Sequence, residues 1–149
     1  MKLVQQTEEG WQYELNPMEA DVLQGLLNGF PFTAPPPAQI SHRKNDPAMR
    51  ERAAWLDDAL AEHRQELKTA AAKILAAATR KKSGWRLALD AATRETLLQI
   101  LNDIRVGCWH ALGEPETLDV FTPKTVAEIS LQNWMDLAGF FEQSLIELE

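Results

Sequence analysis

Apolar residues in this chain recur at intervals of two near its start and at intervals of three and four in four later stretches. The opening, KLVQQTEEGWQYEL, carries Trp11, Tyr13 and Leu15 at alternate positions, with Leu3 on the other side of Glu8-Glu9-Gly10. A period of two around a glycine-containing turn predicts a small β-hairpin. Asn16-Pro17-Met18-Glu19 then supplies a capping side chain, a proline for the first helical position and an acid three residues after the cap. These predict a helix to about Asn28, closed by Gly29.

From Phe30 to about Asp46 the run FPFTAPPPAQISHRKND holds three consecutive prolines, which remove backbone donors and favour an extended conformation. A surface connector over about 30–46 is expected, with a ligand for an SH3-like or WW-like domain as the lesser alternative. Asp46-Pro47 opens the longest helix, to about Arg80, with Met49, Ala53, Leu56, Leu60, His63, Leu67, Ala70, Ile74 and Ala77 as its apolar stripe. Arg80-Lys81-Lys82 fits the cationic end of that helix, where the dipole favours positive charge. Gly84 breaks the pattern, and WRLAL reads as a short extended return able to pair with the first hairpin.

Asp90 caps a further helix over roughly Ala91 to Leu112, GEPETLDVF is a loop, and Thr122-Pro123 opens the last helix. Its stripe is Ala127, Leu131, Trp134, Ala138, Phe141, Leu145 and Leu148, spaced alternately four and three. Amphipathic helices must bury their stripes against one another. The expected fold is therefore all-α: one domain over 1–149, a bundle of about four helices with a small extended or hairpin element at the N-terminus.

Within the third helix, LNDIR places three polar residues in an apolar run. On a helical wheel Leu97, Leu101, Ile104, Cys108 and Ala111 form one stripe, widened by Leu98, Trp109 and Leu112. Asp103 falls opposite, as a solvated charge beside Gln99 and His110. Asn102 lies at the margin. Arg105 falls inside the apolar arc, so it must extend its head to water or find a carboxylate. Glu142 in the last helix and Glu19 in the first have matching placements, Glu19 also being the returning acid of the Asn16 cap. Asn102, Arg105, Glu142 and Glu19 thus form the candidate polar cluster: a structural ion-pair network by preference, or a site.

Length and composition bound the function. The 149 residues are 45% hydrophobic and 25% charged, which is ordinary for a globular chain able to bury a core without metals or disulfides. No run approaches the roughly 20 apolar residues that span a bilayer, and no secretory stretch follows Met1, so a cytoplasmic protein without a membrane association is expected. The formal charge of -7 repels nucleic acid, and no nucleic-acid partner is expected. The single cysteine, Cys108, excludes an internal disulfide and lies on an apolar stripe, as a buried thiol does. His42, His63 and His110 lack metal-ligand spacing, and no phosphate-cradling glycine loop or nucleophile elbow is present. No metal, no cofactor and no catalytic residue are expected. Five tryptophans are many for this length, and Trp55, just outside the stripe of the long helix, is the candidate interface residue, with packing under the proline-rich connector as the equal alternative.

The order WQYELNPMEADVLQGLL, DPAMRERAAWLDDALAEHRQELKTAAAKIL, LLQILNDIRVGCWHALG and NWMDLAGFFEQSLIEL resembles a small bacterial family classed as a domain of unknown function. Its actinobacterial members are commonly encoded beside the Clp-protease adaptor for N-degron substrates and near a JAB-type metalloprotease. The residues that carry the resemblance are Glu19, Leu101, Asn102, Asp103, Arg105 and Trp134; a glutamine expected after the tryptophan is represented by Glu142 or Gln143. The resemblance implies an all-helical cytoplasmic protein with a regulatory role and assigns no catalytic residue. The expected function is a non-enzymatic interaction or regulatory protein with an unidentified protein partner, and a homodimer through exposed parts of the long or last helix fits the same pattern. The alternative is a small-ligand binder or enzyme with a pocket around Asn102, Arg105 and a facing carboxylate.

Overall fold

The structure is a computed structural model and describes residues 1–31, 47–117 and 122–147. The elements are β1 (Lys2–Thr7), β2 (Gly10–Leu15), α1 (Pro17–Gly29), α2 (Pro47–Ala77), β3 (Thr79–Lys81), β4 (Gly84–Leu89), α3 (Ala91–Ala111) and α4 (Val126–Ile146). The connector expected over about 30–46 lies outside the described residues except for Phe30, which is buried, and Pro31, which is exposed; His42, Asp46 and Leu148 lie outside them too.

The four helices and the N-terminal hairpin are present among the described residues and the fold is mostly helical, but the extended element is more than the small hairpin expected. The hairpin is half of a four-stranded antiparallel sheet ordered β1-β2-β4-β3. WRLAL does return along the first hairpin: Trp11 pairs with Leu89, Tyr13 with Leu87 and Leu15 with Trp85. The helix expected to reach Arg80 ends at Ala77, and Arg80 and Lys81 belong to β3 rather than to a helix terminus. A two-residue turn at Lys82-Ser83 joins β3 to β4, with Lys81 paired to Gly84. Arg80 stacks over the Trp85 ring at 5.0 Å, an interaction of a cation with an aromatic face rather than with a helix dipole.

One face of the sheet carries Tyr13, Leu15, Leu87 and Leu89, all buried. The helices cover that face and bury Leu23, Leu26 and Leu27 of α1, Leu67, Ala71 and Ile74 of α2, Leu97, Ile100, Leu101, Ile104 and Cys108 of α3, and Met135, Ala138, Phe141 and Leu145 of α4. The opposite face of the sheet carries a charged row, with Lys2 paired to Glu14 and Glu14 to Arg86, whose guanidinium bonds the Glu14 carboxylate at 2.5 Å. Alternation across the pleat is what separates the two rows.

The caps are largely those expected. Asn16 accepts from the Glu19 N–H at 2.8 Å while Glu19 accepts from the Asn16 N–H at 3.0 Å, a reciprocal capping box. Asp90 accepts from the Thr93 N–H at 2.7 Å. The last helix starts later than Thr122-Pro123 suggested: Thr125 is its cap, accepting from the Glu128 N–H at 3.1 Å. The stripe of α2 is core only in its second half. Trp55 is 79% exposed, Leu56 48% and Leu60 41%, so the first half of this 31-residue helix stands out from the body.

Candidate functional site

Positions 102, 103 and 105 lie on three directions of α3, since successive residues turn by about 100°. Tertiary packing gives each direction a different neighbour. Asp103 faces α2 and is half-buried, with its Oδ2 3.8 Å from Arg64 Nε, an ion pair too long for a hydrogen bond. The Asp103 carboxylate stays partly open to water, as its place opposite the α3 stripe suggested, but that side of α3 is not empty, because α2 lies beside it.

Arg105 faces α4. Its Nη1 donates to Glu142 Oε2 at 2.6 Å, so the Arg105–Glu142 pair selected from the sequence is brought together. Burial divides it unequally, because the Arg105 side chain is 45% exposed and that of Glu142 only 11%. The pair is therefore a half-open ion pair at the protein surface, in which Arg105 both keeps its head near water and finds a carboxylate. Arginine satisfies the arc by lying along it and keeping its head at the edge. The guanidinium passes over Gly139, where an added Cβ would meet Arg105 Nε at 3.6 Å, an ordinary packing contact. Glu142 Oε1 is buried and has no hydrogen-bond partner among the described residues.

Glu19 is not part of this cluster. Besides closing the α1 capping box, its carboxylate pairs with the Met1 ammonium, so it ties the start of β1 to the start of α1. The placement of Glu19 among Val22, Leu23 and Leu26 suggested a partner for Arg105; the α1 cap and the amine take its oxygens instead. Asn102 is exposed and lines two shallow clefts. One, of about 190 Å³, also includes Arg105, Val106, Trp109 and Met135. The other, of about 300 Å³ between α2 and α3, includes His63, Leu67 and Asp103.

The largest of these features is a groove of about 700 Å³ on the other side of Arg105, with Met135, Phe140, Ile146 and Glu142 among its walls. Phe140 is 47% and Ile146 61% exposed. Asp136 and Glu147 add acidic groups to the rim. The groove is thus apolar at its walls, acidic at its rim and crossed by one guanidinium–carboxylate pair. Phe140, Ile146 and Val106 were missed by the sequence reading. They lie off the apolar stripes that identify core, and an off-stripe apolar residue at a helix surface was their only sequence signal.

Arg94 was missed as well. Its Nε donates to the Leu145 carbonyl at 3.1 Å, its Nη2 bonds the same oxygen, and its guanidinium lies 4.8 Å over the Trp11 ring. One side chain therefore joins the first turn of α3, the end of α4 and β2. Cys108 is fully buried, and desolvation pushes its thiol pKa up, so it stays protonated at neutral pH. Trp55 lies on the exposed half of α2 with Leu56 and Leu60, remote in sequence from the buried residues Leu67 to Leu75 of the same helix.

Among the described residues no three His, Cys, Asp or Glu side chains converge as metal ligands would, and no helix is long and apolar enough to cross a membrane. What the α3–α4 groove offers chemically is an apolar seat, a donor in Arg105 and a carboxylate in Glu142. No family model, curated protein or solved structure matches this chain.

Proposed function

We propose that this protein is a non-enzymatic interaction or regulatory protein of the bacterial cytoplasm, and that it docks a segment of another protein in the groove between α3 and α4. The observation that carries the reading is the exposure of Phe140 and Ile146 beside the half-open Arg105–Glu142 pair. Small-molecule sites enclose most of their ligand, whereas an open groove with apolar anchors and a polar rim suits a chain segment. The rim acids Asp136 and Glu147 favour a segment whose apolar anchors are flanked by basic side chains. The resemblance to the bacterial family encoded beside the Clp adaptor supports a regulatory setting.

A photo-crosslinking side chain installed at position 140 or 146 in cells tests this. The expected outcome is a discrete adduct with another protein, absent when the probe stands at Gln5 on the sheet and lost in Arg105→Glu. Adducts of equal yield from all three positions, or none from the groove, would sink the reading.

A second reading rests on the small cleft that holds both Asn102 and Arg105. A small polar ligand taken there would use the Asn102 amide and the exposed guanidinium edge. It predicts ligand-dependent thermal stabilisation that Asn102→Ala removes and Phe140→Ser leaves intact.

A further inference from the structure

The exposed half of α2 carries more pattern than a solvated helix needs. Met49, Ala53, Leu56, Leu60, His63, Leu67, Ala70 and Ile74 are spaced 4-3-4-3-4-3-4, a strict seven-residue repeat. That is the period of a coiled-coil seam, narrower than the broad face of a helix lying on a globular core. From Leu67 onward the seam is used inside the molecule, where Leu67 and Ile74 are buried. Between Met49 and Leu60 it is covered only in part: Met49 and Ala53 are half-buried, and Leu56 and Leu60 are exposed.

We infer that the Met49–Leu60 seam of α2 is covered by the same segment of a second copy of this chain, as a short antiparallel coiled coil. Two observations select that occupant and that direction. The first is steric: the seam runs straight into its own body at Leu67, so a second copy laid parallel would bring its body against the first. Laid antiparallel, the two bodies stand at opposite ends. The second is charge. With Met49 opposite Leu60 and Ala53 opposite Leu56, four apolar layers form about a two-fold axis, and the flanking positions place Arg50 of each copy opposite Asp57 of the other. Sliding by one heptad would instead set Asp57 against Asp57 and Arg50 against Arg64. The charges thus discriminate the register.

Arg50 also has an interaction within its own chain, and a guanidinium with five N–H donors can serve both. Small Ala59 flanks the seam one turn after Trp55 and meets Arg52 of the second copy in this register. The exposed Trp55 ring then lies where that guanidinium can stack on it, which gives this residue a use that the monomer does not.

Sedimentation of the full chain over roughly a hundredfold range of concentration tests the inference. The expected result is a reversible monomer–dimer equilibrium, with Leu56→Glu reducing dimer affinity at least tenfold while far-ultraviolet circular dichroism and thermal unfolding of the monomer stay unchanged. Arg50→Asp and Asp57→Arg should each weaken the dimer, and the double exchange should restore it. A monomer throughout that range, or a dimer indifferent to Leu56→Glu, overturns the proposal. Single exchanges that weaken the dimer without rescue in the double overturn the register and with it the antiparallel arrangement. The α3–α4 groove is a separate surface, so none of these outcomes bears on docking there.

Discussion

At the scale of single residues, Arg105 shows how a correct pairing can have the wrong weight. Its position in an apolar arc and the matching placement of Glu142 are both readable from helical spacing, and the two atoms meet at 2.6 Å. What spacing does not encode is how far the neighbouring helix covers the guanidinium, which depends on how α4 packs against α3. A sealed pair broken from one side costs roughly 3–5 kcal/mol, whereas pairs open to water contribute about 1 kcal/mol or less. With nearly half of Arg105 exposed, a double-mutant cycle of Arg105→Ala and Glu142→Ala read by urea unfolding should give a coupling of about 1 kcal/mol. A coupling above roughly 3 kcal/mol would mean that the pair is closed to solvent and the groove is no docking site. Asp103 makes the complementary point: a wheel drawn for one helix assigns an empty side to whatever does not face its own stripe, and α2 occupies that side.

At the scale of elements, the helix signals were local and legible. The Asn16 box, Asp90 and the apolar stripes each depend on residues within a turn or two of one another. β3 is three residues long, polar and charged, with no apolar alternation of its own, and its strand state is set by pairing with β4 across a two-residue turn. The joint between β4 and β2 supplies a test. Gly84 has φ +127, and a Cβ there would fall 1.8 Å from the Leu15 carbonyl oxygen, which is backbone and cannot move aside. Gly84→Ala should therefore destabilise the fold by about 3 kcal/mol or more in chemical denaturation. A loss below roughly 1 kcal/mol would show that β4 does not sit against the end of β2 as described. The first half of α2 is the opposite case: its stripe was legible, but a stripe states only that something apolar must cover it and not which molecule does.

At the scale of the whole molecule, two exposed carboxylates contribute to the pH response of stability. Hydrogen bonds from Thr93, side chain first and backbone second, hold Asp90 below the usual aspartate range, and the Arg86 hydrogen bond does the same for Glu14. A carboxylate with a depressed folded-state pKa contributes stability that is present above its unfolded-state pKa and lost as pH falls through the folded value. Both contributions are thus complete at neutral pH and disappear in acid. Glu14→Gln should lower the melting temperature relative to wild type at pH 7, and the difference should shrink as pH is lowered through the carboxylate range. Asp90→Asn, which keeps a capping oxygen, should show a smaller loss at pH 7 with the same trend. A difference that does not change with pH would remove these groups from the acid response.

The four helices, the N-terminal hairpin and the return of WRLAL along it are legible in the residues alone, as is a partner for Arg105 narrowed to Glu142 or Glu19, because each rests on short-range periodicity, capping chemistry or charge in an apolar arc. Tertiary packing settles that the hairpin grows into a four-stranded sheet, that Arg105 takes Glu142 while Glu19 adds the Met1 ammonium to its cap, that Asp103 faces Arg64, and that Phe140 and Ile146 remain uncovered. Those outcomes depend on which surfaces meet across long separations in the chain. Burial is a property of the pair of surfaces, and no single stretch of residues carries both of them.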